Sequence, residues 1–159
     1  MTRTVLWVAA LFLSASGAAA QTTYDWSGST TGADQSRAFA ITPEHVVVLM
    51  HSEYADIAME DSQAPLQGAG GPCFGKSEFR GGAAEGDGYC LWRDPEGDLA
   101  ISRWTVTGMT EAGVITGTWA MIGGSGKWAA ATGAGAWERS QAEPGGPVEL
   151  RYTGEGTLP

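Results

Sequence analysis

The chain has 159 residues, with 18 acidic and 9 basic side chains and a formal net charge of −9 at neutral pH. This charge argues against nucleic acid and against anionic membrane surfaces as partners, because both are themselves negative. Its 24 glycines and seven tryptophans are more than an average composition contains, and it has only two cysteines.

The first twenty residues have the three parts of an export signal. Arg3 supplies the positive charge, residues 5–13 form a short apolar segment, and Ala18-Ala19-Ala20 is a small-residue cleavage site before Gln21. The apolar segment is shorter than the roughly 20 residues that span a bilayer. We therefore expect a secreted or periplasmic protein without membrane insertion, with residues 21–159 as one mature domain.

From Gln21 onward, short segments of β character end in glycine, proline or aspartate. The three valines at 46–48 favour a strand, because β-branched side chains lose rotamer freedom in a helix. Residues 61–72 are loop by composition, with Leu66 as a candidate plug. The predicted strands are 23–31, 39–41, 45–54, 73–80, 89–94, 99–107, 113–121, 132–139 and 148–157.

The two cysteines, Cys73 and Cys90, both lie in the mature chain. An exported protein with a small, even number of cysteines most often pairs them, so we predict a disulfide. Their positions leave two arrangements open. Either the bridge joins neighbouring strands whose register is offset by a long turn, or it joins strands that are not neighbours.

Seven or eight strands at a spacing of about 8 to 12 residues predict an all-β sandwich or barrel. Glycines inside the strands weaken a flat sheet but suit strands that coil sharply to close a small barrel. We therefore predict an antiparallel eight-stranded calycin-like β-barrel. The glycines on which this preference depends are Gly75, Gly117, Gly133, Gly135 and Gly154.

A glycine-rich run at 123–137 (GGSGKWAAATGAGAW) follows the strand at 113–121. It formally contains the G-x-G-x-x-A dinucleotide fingerprint, but the glycines at 133 and 135 would break the helix which that motif requires. We predict instead a turn that closes the barrel. In this turn Trp128 plugs the barrel and Lys127 points to solvent.

The same run, with Gly117-Thr118-Trp119 before it, resembles the G-T-(aromatic)…G-G-T-G-K-(aromatic)-A-G-A-T-G-x-G signature of the allene oxide cyclase and dirigent-like barrels. The resemblance covers about twenty residues and departs at Ser125 and Ala130. The resemblance implies an eight-stranded barrel of the calycin type. We interpret the chain as a bacterial secreted member of this superfamily. Members of this superfamily guide or catalyse cyclisation of apolar small molecules, or have no assigned activity. The family's catalytic residues have no matching stretch here.

Three carboxylates at alternate positions, Asp94, Glu96 and Asp98, have the spacing from which calcium loops take ligands. The bidentate glutamate of a full loop is missing, since Thr105 stands at its position. A plain Asp-Pro-Glu-Gly turn explains the same residues. We expect neither a metal nor an organic cofactor.

His51 and Glu53 share one face of the valine-rich strand with His45. The two histidines are about 20 Å apart along a strand and cannot bind one ion. His51 and Glu53 could act as an acid–base pair, or they could simply face solvent. Charged residues on the strand at 73–80 could likewise form a site or face solvent.

There, Glu78 and Arg80 lie opposite the face of Cys73, and Arg93 follows on the presumed partner strand. If that face is the barrel lumen, the three form a buried charged cluster that points to function. If it faces solvent, they form weak surface ion pairs.

The tryptophans suit either a packed core or an apolar pocket, and a barrel of eight strands can hold one small ligand. Our leading hypothesis is an exported barrel that binds a small apolar or aromatic molecule, with Trp92, Arg93, Trp104 and Trp119 as candidate binding residues. The alternative is a cyclase or isomerase of the allene oxide cyclase or dirigent-like type, with His51, Glu53, Glu78 and Arg80 as catalytic groups. A third alternative is an envelope-associated interaction protein. Homo-oligomerisation is open.

Overall fold

A computed structural model describes residues 21–143 and 145–159, and the predicted export segment lies outside these ranges. The described residues form eleven strands and one short 3₁₀ helix, Gly126–Trp128. The strands are β1 (Thr22–Asp25), β2 (Gly28–Asp34), β3 (Arg37–Thr42), β4 (His45–Tyr54), β5 (Ala58–Met59), β6 (Gly71–Arg80), β7 (Ala83–Arg93), β8 (Leu99–Met109), β9 (Ile115–Gly124), β10 (Thr132–Gln141) and β11 (Val148–Leu158).

Eight of these strands close into a ring. Their order is β2, β4, β6, β7, β8, β9, β10 and β11, and β11 pairs with β2 to complete the circle. All neighbouring pairs in the ring are antiparallel. The predicted antiparallel eight-stranded barrel is confirmed.

The N-terminal segment is one long strand with two interruptions. β1 and β2 pair with the two halves of β11, and β3 continues along β4. At the first break the Ser27 N–H donates to Asp25 Oδ1 over 2.8 Å, and at the second the Ser36 N–H donates to Asp34 Oδ1 over 3.1 Å. Such local bonds compete with the sheet ladder, so the strand bends at both places.

Side chains alternate between the inside and the outside of the barrel. On β8, for example, Ser102 and Trp104 are buried, whereas Arg103 and Thr105 are exposed. This alternation follows from the two-residue period of a strand. It decides which residues can reach an interior cavity.

The loop at 60–70 contributes buried residues to the core. Leu66 is buried, together with Ala64 and Ala69, so the predicted plug at Leu66 is confirmed. Backbone hydrogen bonds anchor the loop, with the Ile57 N–H donating to Ala69 O over 2.7 Å. The sequence analysis did not predict the short strand β5 that precedes this loop.

The disulfide joins Cys73 and Cys90, which face each other directly across β6 and β7. The predicted pairing is confirmed, but the expected register was wrong. Gly81 and Gly82 form a two-residue turn with φ of 57° and 85°, the positive values that a tight hairpin of this kind requires. This turn aligns the two cysteines without a long loop, and residues 83–88 belong to β7.

Glycines on the inner face of the strands make room for tryptophan rings. A Cβ atom added at Gly75 would lie 2.6 Å from Cζ2 of Trp104, closer than atoms can approach. The same relation holds for Gly133 and Trp26, for Gly117 and Trp137, and for Gly154 and Trp119. These glycines therefore provide volume as well as backbone freedom.

The glycine-rich run closes one end of the barrel. Trp128 is fully buried, which confirms its predicted position, and its ring meets that of Trp26 edge-on at 6.0 Å. Its indole N–H donates to Asp94 Oδ2 over 2.9 Å. The loop between β9 and β10 is thereby fixed to the turn between β7 and β8.

Lys127 does not point to solvent, and that prediction was wrong. Its ammonium lies 2.9 Å from Asp94 Oδ2 and 3.1 Å from Glu96 Oε2. A buried carboxylate requires a compensating charge, and Lys127 is the residue that the chain brings to Asp94. The Asp94 turn itself is confirmed, because Asp94 Oδ1 accepts hydrogen bonds from the N–H groups of Glu96 and Asp98.

Burial alone would raise the pKa of Asp94. Hydrogen bonds from Lys127, Trp128 and the Asp98 backbone, with the charge of Lys127, outweigh it and hold the pKa below its usual 3.8. Asp94 is therefore ionised at neutral pH, and its charge stabilises the two connected loops.

Trp128→Ala should lower the free energy of unfolding by about 3 kcal/mol or more, because it removes a fully buried ring and leaves a cavity. For a domain of this size the melting temperature should fall by roughly 10 °C. Ile122→Ala on the outer face of β9, where the side chain is 55% exposed, is the matched control and should cost far less. A thermal melt that is the same for Trp128→Ala and wild type would contradict the assignment of Trp128 as a plug.

The lowered pKa of Asp94 makes stability depend on pH with a definite sign. The stabilisation is complete above about pH 4 and is lost as pH falls through the lower pKa of the folded state. Asp94→Asn should be less stable than wild type near neutral pH and should lose less stability between about pH 7 and about pH 3. Urea unfolding at both pH values measures this, with the exposed Asp56→Asn as control. An unchanged pH dependence in Asp94→Asn would count against the role of this carboxylate.

Candidate ligand-binding cavity

The barrel contains a mainly apolar cavity with a volume of about 70 Å³. Four tryptophans and two tyrosines dominate its wall, and the disulfide forms part of it. The lining residues are Met50, Ser52, Tyr54, Ile57, Leu66, Cys73, Cys90, Trp92, Ser102, Trp104, Trp119, Met121, Trp137, Arg139, Leu150 and Tyr152.

Three of the four cavity tryptophans present ring surface to the cavity because their N–H groups are already bonded within the protein. Trp92 Nε1 donates to Ser102 Oγ over 3.1 Å, and Trp119 Nε1 donates to the carbonyl of Thr153 over 3.1 Å. Trp137 Nε1 donates to the carbonyl of Thr118 over 3.0 Å. These bonds fix the rings, so the wall is a preformed aromatic surface.

Ring contacts extend from the cavity into the core. Trp104 meets Trp137 edge-on at a centroid distance of 6.1 Å, and Trp119 stacks on Trp26 at 5.9 Å. Tyr54 and Trp92 meet at 5.9 Å with tilted rings. A ligand in the cavity would therefore contact side chains that cannot move independently.

Arg139 is the charged residue in the cavity wall, and it is only 9% exposed. Its Nη2 lies 3.1 Å from Asp34 Oδ1. Burial by itself would raise the pKa of Asp34, but hydrogen bonds from Ser36 and the charge of Arg139 hold the pKa below its usual value. Both members of the pair are therefore ionised at neutral pH.

Two tyrosines complete the polar part of the wall. Burial raises the pKa of Tyr54, and the nearby guanidinium of Arg139 opposes part of this rise. Burial also raises the pKa of Tyr152, whose hydroxyl donates to Met59 Sδ over 3.2 Å. Both phenols are neutral at neutral pH and can act as hydrogen-bond donors.

Three of the four predicted binding residues line the cavity: Trp92, Trp104 and Trp119. That they bind a ligand remains a prediction. Arg93 does not line the cavity, because it follows Trp92 on β7 and its side chain therefore points to the outside of the barrel. Its side chain is exposed, and its Nη1 donates to the carbonyl of Gly97 over 2.8 Å.

The four candidate catalytic residues lie on the outer surface, not in the lumen as the enzyme hypothesis requires. His51 and Glu53 contact each other at 3.2 Å, with side chains 44% and 45% exposed. On β4 the inner positions belong to Met50, Ser52 and Tyr54, so the residues between them must face outward.

Glu78 and Arg80 form a second outer pair. Glu78 Oε1 lies 2.6 Å from Arg80 Nη2 and 2.8 Å from His45 Nε2. Cys73 and Ser77 take the inner positions of β6, which leaves Glu78 and Arg80 outside. The structure thus gives two separate surface clusters, each with a histidine, and the two histidines lie six residues apart on β4.

The sequence analysis missed Arg139, Asp34 and Trp137. A usable pattern existed in β10, where Trp137 and Arg139 share the phase of the glycines at 133 and 135. Had the inner face been assigned from those glycines, Arg139 would have been expected inside the barrel. Asp34 follows the last predicted residue of its strand and carried no such pattern.

The three carboxylates of the 94–98 turn are brought together, with one oxygen of each within 4.8 Å of the others. The Lys127 ammonium lies beside two of them, Asp94 and Glu96, and supplies positive charge there. Among the described residues, no helix is long and apolar enough to cross a membrane. The disulfide is consistent with an extracellular or periplasmic location.

No protein-family model and no curated protein sequence matches the chain. Among solved structures, the chain is similar to a pterocarpan synthase dirigent protein, with a TM-score of 0.57 and 12% identity. The match covers 95% of this chain and 99% of the other. At this identity the likeness shows the fold alone. It confirms, at the level of fold, the dirigent-like barrel to which the glycine-rich run pointed.

Proposed function

We propose that this protein is an exported β-barrel that binds a small apolar or aromatic molecule in its interior without transforming it. The observation that supports the proposal is the aromatic cavity, whose wall is preformed by bonded tryptophans. Apolar pockets with a few placed polar groups are the usual form of small-molecule sites. A closed barrel of eight strands, the fold shared with the solved dirigent protein, can also hold one small ligand in its interior.

The size of the cavity limits the ligand. An apolar cavity of about 150 Å³ takes up benzene in a well-studied case, and typical drug-sized pockets are several times larger. The volume of about 70 Å³ here is roughly half of that benzene-binding cavity, so even a single ring requires side chains of the wall to shift. Flexible wall residues, Met50 and Met121, make such shifts possible.

A cyclase or isomerase is the second candidate, and one observation favours it. Ionisable groups are present in the cavity region, namely Tyr54, Arg139 and Asp34. However, the lowered pKa of Asp34 makes its carboxylate a weak base at neutral pH. Binding requires no such base and is therefore the better-supported function.

Tryptophan fluorescence titrated with toluene, benzyl alcohol and indole tests the binding proposal. We expect a saturable change with at least one of these compounds, since four tryptophans line the cavity. Purified mature protein from Gln21 onward is the sample. The absence of a saturable response to any of the three would count against interior binding.

A pair of neighbouring substitutions provides the control. Met121→Phe adds bulk to the cavity wall and should weaken binding by about tenfold or more, a change of at least ~1.4 kcal/mol. Ile122→Phe introduces the same phenylalanine one position further, on the outer face of β9, and should leave the affinity unchanged. Equal effects from the two variants would place the bound compound outside the cavity.

A further inference from the structure

Arg139 has hydrogen-bonding capacity that the protein does not use. Its side chain is nine-tenths buried and belongs to the cavity wall. Its Nε and Nη2 atoms are buried and have no hydrogen-bond acceptor among the described residues. Buried donors are satisfied in the great majority of cases, so an exception calls for an acceptor that occupies the site.

Asp34 does not fill this role. Its Oδ1 lies 3.1 Å from Arg139 Nη2, an ion pair that has the distance but not the geometry of a good hydrogen bond, and Nε has no acceptor at all among the described residues. The same oxygen accepts hydrogen bonds from the backbone and the hydroxyl of Ser36, at 3.1 and 2.5 Å. Asp34 is also the more exposed partner, with 18% of its side chain accessible against 10% for Arg139.

The free atoms indicate the chemistry of the missing acceptor. Nε and a terminal nitrogen of a guanidinium present parallel N–H bonds, a planar fork that matches the two oxygens of a carboxylate. A carbonyl or hydroxyl oxygen would satisfy one of these donors and would bring no charge. The rest of the wall is mainly aromatic, aliphatic and sulfur-containing, with two serine hydroxyls, and favours an apolar body.

We infer that the ligand is a small aromatic carboxylate, with its ring among Trp92, Trp104 and Trp137 and its carboxylate bound by Arg139. This inference rests on the proposed function, because it specifies the ligand class of the same cavity. Asp34, 3.1 Å from Nη2, orients the guanidinium, while Ser36 stabilises the charge of Asp34.

Benzoate, benzamide and toluene separate the possibilities. Benzoate and benzamide have nearly the same shape, but only benzoate carries a charge at neutral pH. We expect benzoate to bind about tenfold or more tightly than benzamide, because charge-assisted hydrogen bonds are the stronger class. Tryptophan fluorescence and the rise in melting temperature both measure this in the unmodified protein.

Two arginine variants test the assignment to Arg139. Arg139→Met should reduce benzoate affinity to the level of benzamide while toluene binding stays within about twofold. Arg139→Lys keeps the charge but loses the fork, so it should restore only part of the preference. Arg103→Met on the exposed face of β8 is the matched control and should change nothing.

The outcomes are distinct for the two proposals. Equal affinity for benzoate and benzamide, or a benzoate preference that survives Arg139→Met, would overturn the carboxylate assignment and leave interior binding standing. No binding of any of the three probes would overturn both. If Arg139→Met fails to fold, the comparison of benzoate with benzamide in the unmodified protein decides the question.

Discussion

The fit between inward glycines and tryptophan rings is the constraint on which the barrel depends. A small closed barrel has little interior space, and most of its tryptophan rings lie where neighbouring strands have glycine instead of a side chain. Trp104 lies over Gly75 and Gly88, and Trp26 lies over Gly133 and Gly156. Any larger residue at these positions would displace a ring or push two strands apart. The wall of the cavity is therefore a consequence of how the core is packed.

Much of this architecture could be predicted from the sequence. Strand alternation, turn residues and glycines inside the strands predicted the barrel. The export signal and the two cysteines predicted the disulfide. The register of β6 and β7 could not be predicted, because in the sequence Gly86 and Gly88 are typical of a turn. In the structure the absent side chain of Gly88 makes room for the ring of Trp104 on β8, and that of Gly86 makes room for Ser77 on β6. The sequence alone does not distinguish a glycine that makes room for a side chain from a glycine that forms a turn.

The site could be predicted only in part. Trp92, Trp104 and Trp119 are large and apolar, so alternation alone places them inside. Charged residues are poor guides, because most of them face solvent. His51, Glu53, Glu78 and Arg80 follow that rule, whereas Arg139, like Asp94, is an exception among the described residues. For Arg139 the reason is a distant partner. Its burial depends on Asp34, a residue brought to it by closure of the barrel and far away in the sequence.

Closure between β2 and β11 has a consequence for the order of events in folding. The pairing of Gly32 with Val148 joins the start of the described chain to its end, so the interior is not enclosed until the last strand is in place. Topologies with such distant contacts fold slowly, because the entropy of closing a long loop must be paid first. Until then the tryptophans and β11 are exposed to water and to other chains. A chain that lacks β11 therefore lacks one wall of the barrel and the cavity residues Leu150 and Tyr152, so the cavity is complete only once this strand has paired.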